Sequence, residues 1–138
     1  MAKHIEEYDS NGLARVYDNA QWYLIDKDSN QVTEAYSYIE EWGEGYYKAE
    51  QGAKKNILRP DGSVVLKQWY NDVFKVQHGF FIFGNTIRKS KTNPKTRYIQ
   101  GVAHVSGIIV FPMIFERTQW CEDGKAIYAE IDEKPYIL

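Results

Sequence analysis

Apolar and aromatic residues along this chain fall in short runs, each closed by a glycine or a cluster of polar turn residues. Phe80-Phe81-Ile82-Phe83, Ile108-Ile109-Val110-Phe111 and Tyr46-Tyr47 are β-branched or aromatic and too short for helices. No segment carries a sustained helical stripe. The nearest, Val32 to Glu44, places Tyr36, Tyr38, Ile39 and Trp42 where each unit approaches its glycine, and a short 3₁₀ turn satisfies it. The pattern predicts an all-β protein.

The runs also repeat. Ile39-Glu40-Glu41-Trp42-Gly43-Glu44-Gly45 echoes Ile5-Glu6-Glu7-Tyr8-Asp9-Ser10-Asn11-Gly12, with further copies around Gly79 and Gly124. These glycines lie 33, 34 and 45 positions apart, so the third unit is about eleven residues longer. Each of the first three units has a second turn: Asp26-Lys27-Asp28-Ser29-Asn30, Pro60-Asp61-Gly62-Ser63 and Ser106-Gly107, where Asp, Asn, Ser and Gly provide turn chemistry between apolar strands. The expectation is one domain over 1–138, an array of about four β-hairpin or meander repeats of roughly 34 residues packed compactly or as a short solenoid. Its units span approximately 5–38, 39–72, 73–117 and an incomplete 118–138.

Composition narrows the class. Hydrophobic residues at 43% and aromatics at 15% describe a folded chain rather than a disordered one. No apolar run approaches the ~20 residues that span a bilayer, so no membrane is expected and a cytoplasmic location is favoured. A lone cysteine, Cys121, forms no internal disulfide and makes a cysteine metal site implausible. The net charge of −2 conceals polarity along the chain: residues 1–50 carry eleven acids against four bases, and residues 51–98 carry ten bases against two acids.

Trp22-Tyr23-Leu24-Ile25-Asp26, then Asp61-Gly62-Ser63-Val64-Val65 leading to Trp69-Tyr70-Asn71-Asp72, and Gly12-Leu13-Ala14-Arg15-Val16, together resemble the WG-repeat family of bacterial proteins over nearly the whole chain. Tyr23 stands where that family has its glycine, and Trp42-Gly43 falls in another part of the unit. The resemblance implies β-hairpin repeats without catalytic residues, commonly attached to other domains, among them ADP-ribosylglycohydrolase-like enzymes.

Candidate chemistry concentrates where the repeat is broken. The long third unit carries Arg88, Lys89, Lys91, Lys95 and Arg97 without an acid, followed by Tyr98, and Lys54-Lys55 occupies the matching tip of the second unit. Basic side chains beside an aromatic ring suit phosphates or another polyanion. Asp26-Lys27-Asp28-Ser29-Asn30 opens like a calcium loop, but Gln31 replaces its glycine and Ser37 its closing glutamate. His4, His78 and His104 share no ligand spacing. Glu6-Glu7 and Glu40-Glu41 read as solvent-facing starts of repeats, since neighbouring strand residues point to opposite faces. The expected function is a non-catalytic binding or accessory module without cofactor or metal, whose partner is a protein or a neighbouring domain. The alternatives are an accessory part of a hydrolase and a glycan- or polyanion-binding module.

Overall fold

The computed structural model describes residues 3–87, 97–115, 117–120, 127–131 and 134–137. Among these the chain is all-β, with no helix. The strands are β1 (His4–Ile5), β2 (Ala14–Asp18), β3 (Gln21–Ile25), β4 (Tyr38–Glu41), β5 (Tyr47–Gln51), β6 (Lys54–Leu58), β7 (Asp72–Val73), β8 (Phe80–Ile87), β9 (Arg97–His104), β10 (Ile109–Phe115), β11 (Arg117–Trp120), β12 (Ile127–Ile131) and β13 (Lys134–Ile137). They form four antiparallel sheets, each following the order of the chain: β1-β2-β3, β4-β5-β6, β7-β8-β9-β10 and β11-β12-β13. The chain divides into two compact units, Met1–Trp69 and Tyr70–Leu138.

In the first unit the two three-stranded sheets are built alike. Asp9 N donates to Leu13 O at 2.8 Å, and Trp42 N, 33 positions on, donates to Tyr46 O at 2.9 Å. Asp26 N donates to Asn30 O at 2.9 Å, and Arg59 N, again 33 positions on, to Ser63 O at 2.8 Å. The same bond closes a turn in the second unit, from His104 N to Ile108 O at 2.8 Å. The fourth residue of each of these five turns has positive φ: Gly12 at 77°, Ser29 at 65°, Gly45 at 81°, Gly62 at 89° and Gly107 at 102°. Ser29 tolerates that conformation within a turn whose Asp26 carboxylate accepts from the amides of Asp28 and Asn30, both at 2.9 Å.

One local feature carries no sequence signal, and one departs from the expected strand. Between β2 and β3 lies a tight two-residue turn at Asn19 and Ala20, with φ of 50° and 62°. These left-handed values match the twist of a hairpin, but alanine gives no sequence signal for them. The stretch beyond the Asp26 turn does not continue as a strand. Gln31 makes one isolated bridge to Ile25 before Thr33 Oγ1 accepts from Leu24 N at 3.0 Å and donates to Glu34 O at 2.8 Å, redirecting the chain.

Leu13, just before β2, and Leu24 of β3 pack with Tyr36, Ile39, Tyr47, Ala49 and Leu58, and Trp22, Val32 and Trp69 flank this core. Full burial of each large apolar side chain contributes about 1.5–3 kcal/mol. Asn56 is also wholly buried. Its Nδ2 donates to Leu66 O at 2.9 Å, and its Oδ1 accepts from Leu66 N at 3.2 Å and Ile57 N at 2.8 Å. A side-chain amide thus replaces the strand partner that the main chain of Leu66 would otherwise need.

The second unit is organised on the long β8–β9 hairpin. Ile82, Val102 and Ile127 form a core flanked by Phe80, Phe111 and Trp120. Gln100 Oε1 accepts from the amide and hydroxyl of Thr118 at 2.7 and 3.0 Å, tying β9 to β11. Gly101 has no Cβ because Phe111 O would lie 2.7 Å from it, and the β9–β10 register shifts on both sides of Phe111. Ile108, Ile109, Val110 and Ile114 are exposed along or beside β10, the outer strand of its sheet.

Candidate functional site

A cavity of about 320 Å³ opens in the first unit between its two sheets. Glu6, Glu7, Asp9, Leu13 and Arg15 line one side, and Tyr38, Glu40, Glu41 and Tyr47 line the other. The two Ile-Glu-Glu segments that the sequence places 34 residues apart therefore converge on one pocket. Alternation along β4 separates Glu40 from Glu41, and Glu6-Glu7, just beyond the end of β1, divide in the same way. Glu6 and Glu40 are half-buried and face a base on the adjoining strand, whereas Glu7 and Glu41 are exposed.

The bases occupy matching positions. Arg15 pairs with Glu6 at 3.0 Å, and Lys48 pairs with Glu40 at 2.8 Å and with Glu50 at 3.3 Å. Each also lies against an aromatic ring. The Arg15 guanidinium is 5.0 Å from the centroid of Trp22 and 5.9 Å from that of Tyr38, and Lys48 Nζ is 3.8 Å from the centroid of Trp42. Burial opposes the charge on Arg15, but its bonds to Tyr38 and Glu6 outweigh burial and raise its pKa. For Lys48, burial is likewise outweighed by Glu40 and Glu50, so its pKa also rises.

The floor is a polar cluster that joins the sheets. Tyr47 donates its hydroxyl to Asp9 Oδ2, and Asn11 Nδ2 donates to Tyr47 Oη at 3.1 Å and to Gly45 O at 2.8 Å. Burial, followed by the Asp9 bond, pushes the Tyr47 phenol well above its ordinary pKa. Asp9 Oδ1 accepts from the amides of Asn11 and Leu13 at 2.9 and 3.0 Å, fixing the turn that carries the cluster.

The sequence-derived basic residues lie elsewhere. Arg88, Lys89, Lys91 and Lys95 fall outside the described residues, and Arg97 begins β9 opposite Ile87. Tyr98 is half-buried and donates its hydroxyl to Asp72 Oδ2 at 3.0 Å. Its edge covers Gly84, where a Cβ would meet the Tyr98 hydroxyl at 2.7 Å. Lys54 and Lys55 open β6, opposite Gln51 and Glu50, with Lys54 exposed and Lys55 half-buried. No family model matches the chain, and no curated protein matches it. The reading therefore rests on the geometry.

Among the described residues no group of three or more His, Cys, Asp and Glu is placed to hold a metal ion, and no helix is long and apolar enough to cross a membrane. The carboxylate of Asp26 accepts from its own turn, with Asn30 as the main cause of its lowered pKa. The pocket is not legible from either acid pair alone, because it forms only when segments 34 positions apart converge. Their recurrence at the repeat spacing was the available signal.

Proposed function

We propose that this chain is a non-catalytic β-repeat binding module of the WG-repeat kind, and that the pocket between its first two sheets receives a basic group of a protein partner or neighbouring domain. The observation that carries this reading is the convergence of Glu6, Glu7, Asp9, Glu40 and Glu41 with Tyr38 and Tyr47 around one cavity. Three of the acids already engage a neighbouring group: Glu6 holds Arg15, Asp9 takes the Tyr47 hydroxyl, and Glu40 holds Lys48. In this reading the exposed carboxylates of Glu7 and Glu41, which line the same cavity, meet the incoming cation as Glu6 and Glu40 meet the internal ones.

The recurring turn bonds and matched acid–base pairs support a repeat reading, with each three-stranded sheet of the first unit as one copy. In that reading Arg15, through its bond to Ile39 O, ties one copy to the next and Lys48 braces the second copy internally, while the exposed acids provide the contact surface. The test is calorimetric titration of the full chain with a lysine- and arginine-rich peptide, using Glu7→Gln/Glu41→Gln as the comparison. Saturable binding that weakens on the order of tenfold in the double variant supports the reading. Equal affinity for both proteins, or preference for an acidic peptide, defeats it.

A further inference from the structure

Asn11-Gly12 is the single Asn-Gly step in the sequence, and it stands where the two sheets of the first unit meet. Glycine offers no side chain to block the approach of its nitrogen to the preceding residue, and here it has a φ of 77°. Asn11 is exposed, so water and solvent base reach it. We propose that Asn11 is a site of spontaneous deamidation, protected while the sheets are joined and converted when they separate.

The chemistry requires only water. Gly12 N loses its proton to solvent base and forms a bond to Asn11 Cγ; the Cγ–Nδ2 bond breaks, and Nδ2 takes a proton and leaves as ammonia. Water then adds to one carbonyl of the cyclic imide, the corresponding C–N bond breaks, and aspartyl or isoaspartyl results. Water is consumed and ammonia released, with no change in oxidation state.

The native geometry holds both reacting groups away from this path. The leaving nitrogen donates to Gly45 O at 2.8 Å and Tyr47 Oη at 3.1 Å, and the attacking nitrogen donates its proton to Asp9 O at 3.0 Å. Asn11 N is tied to Asp9 Oδ1 at 2.9 Å. Swinging Cγ toward Gly12 N breaks both bonds of Nδ2. The product places a carboxylate oxygen against the Gly45 carbonyl and a second negative charge beside Asp9, so the junction does not close again. Isoaspartate also lengthens the turn backbone. Deamidation at Asn11 is thus a one-way record of opening between the two sheets.

The full chain is incubated at mildly alkaline pH under native conditions and in denaturant, and Asn11 conversion is followed by peptide mass spectrometry with isoaspartate detection. Native conversion is expected to be on the order of tenfold slower, because two hydrogen bonds must open first. Equal rates in the two conditions overturn the protection. A separate comparison sets the thermal midpoints of Asn11→Asp and Asn11→Ala side by side. Asn11→Asp is expected to melt lower, since alanine only removes donors whereas aspartate adds repulsion; a midpoint equal to that of the starting protein overturns the consequence.

Discussion

The guanidinium of Arg15 donates to the backbone oxygen of Ile39 at 2.7 Å, so a side chain of β2 satisfies the main chain of β4 in the next sheet. The same guanidinium reaches Glu6 at 3.0 Å with its other terminal nitrogen. Ile39 is fully buried, and losing the donor leaves its carbonyl without that bond. Arg15→Ala is expected to destabilise the fold by about 1.5–3 kcal/mol in urea unfolding, the range for a hydrogen bond from a charged group. Arg15→Lys recovers only part, because one ammonium does not reproduce the planar fork.

Asn56 makes a sharper case. It serves both the donor and acceptor of Leu66 and accepts from Ile57, all within a wholly buried setting. Asn56→Ala leaves these groups without partners and is expected to cost about 2–4 kcal/mol. Denaturant titration checks it; a loss below that of an ordinary surface substitution contradicts the bonding described.

Gly62 and Gly52 both have positive φ, at 89° and 61°, but their surroundings differ. A Cβ on Gly62 would lie 2.7 Å from Val32 O, whereas one on Gly52 meets nothing within 4 Å. Gly52→Ala therefore carries only the left-handed backbone cost of about 1–2 kcal/mol. Gly62→Ala adds a backbone clash and is expected to lower the thermal midpoint further. Equal midpoints contradict the close approach of the two turns.

Alkaline pH tests the Tyr98 and Tyr47 phenols. Burial, followed by Asp72, pushes the Tyr98 pKa up to about 12, from 10.0. A raised folded-state pKa means that unfolding favours ionisation. The contribution is fully present below the unfolded value and is lost as pH rises from about 10 through about 12. Tyr47 shifts in the same direction. Stability is expected to fall through this window, and Tyr98→Phe to flatten the fall. An unchanged slope in that variant, measured by urea unfolding at each pH, contradicts the assignment.

The all-β class was legible because runs such as Phe80-Phe81-Ile82-Phe83 are strand-formers bounded by turn residues. The Asp26 and Gly62 turns were legible for the same local reason. The Asn19-Ala20 turn was not, since its left-handed alanine is imposed by hairpin pairing rather than chosen by propensity. The basic candidates stand out in the sequence as a break in the repeat, but Tyr98 is engaged by Asp72, a partner 26 positions away. The pocket needed contacts such as Asn11 to Gly45, 34 positions apart, that no local pattern specifies.

The most direct test of the proposed module is amide chemical-shift mapping of the full chain during titration with the lysine- and arginine-rich peptide, with an ADP-ribosylated substrate supplied in parallel. The account predicts saturable shifts centred on residues 6–9, 13–15, 38–41 and 47, with no hydrolysis of the substrate. Shifts confined to Lys54, Lys55 and residues 97–98, or substrate turnover abolished by Glu7→Gln/Glu41→Gln, would contradict it.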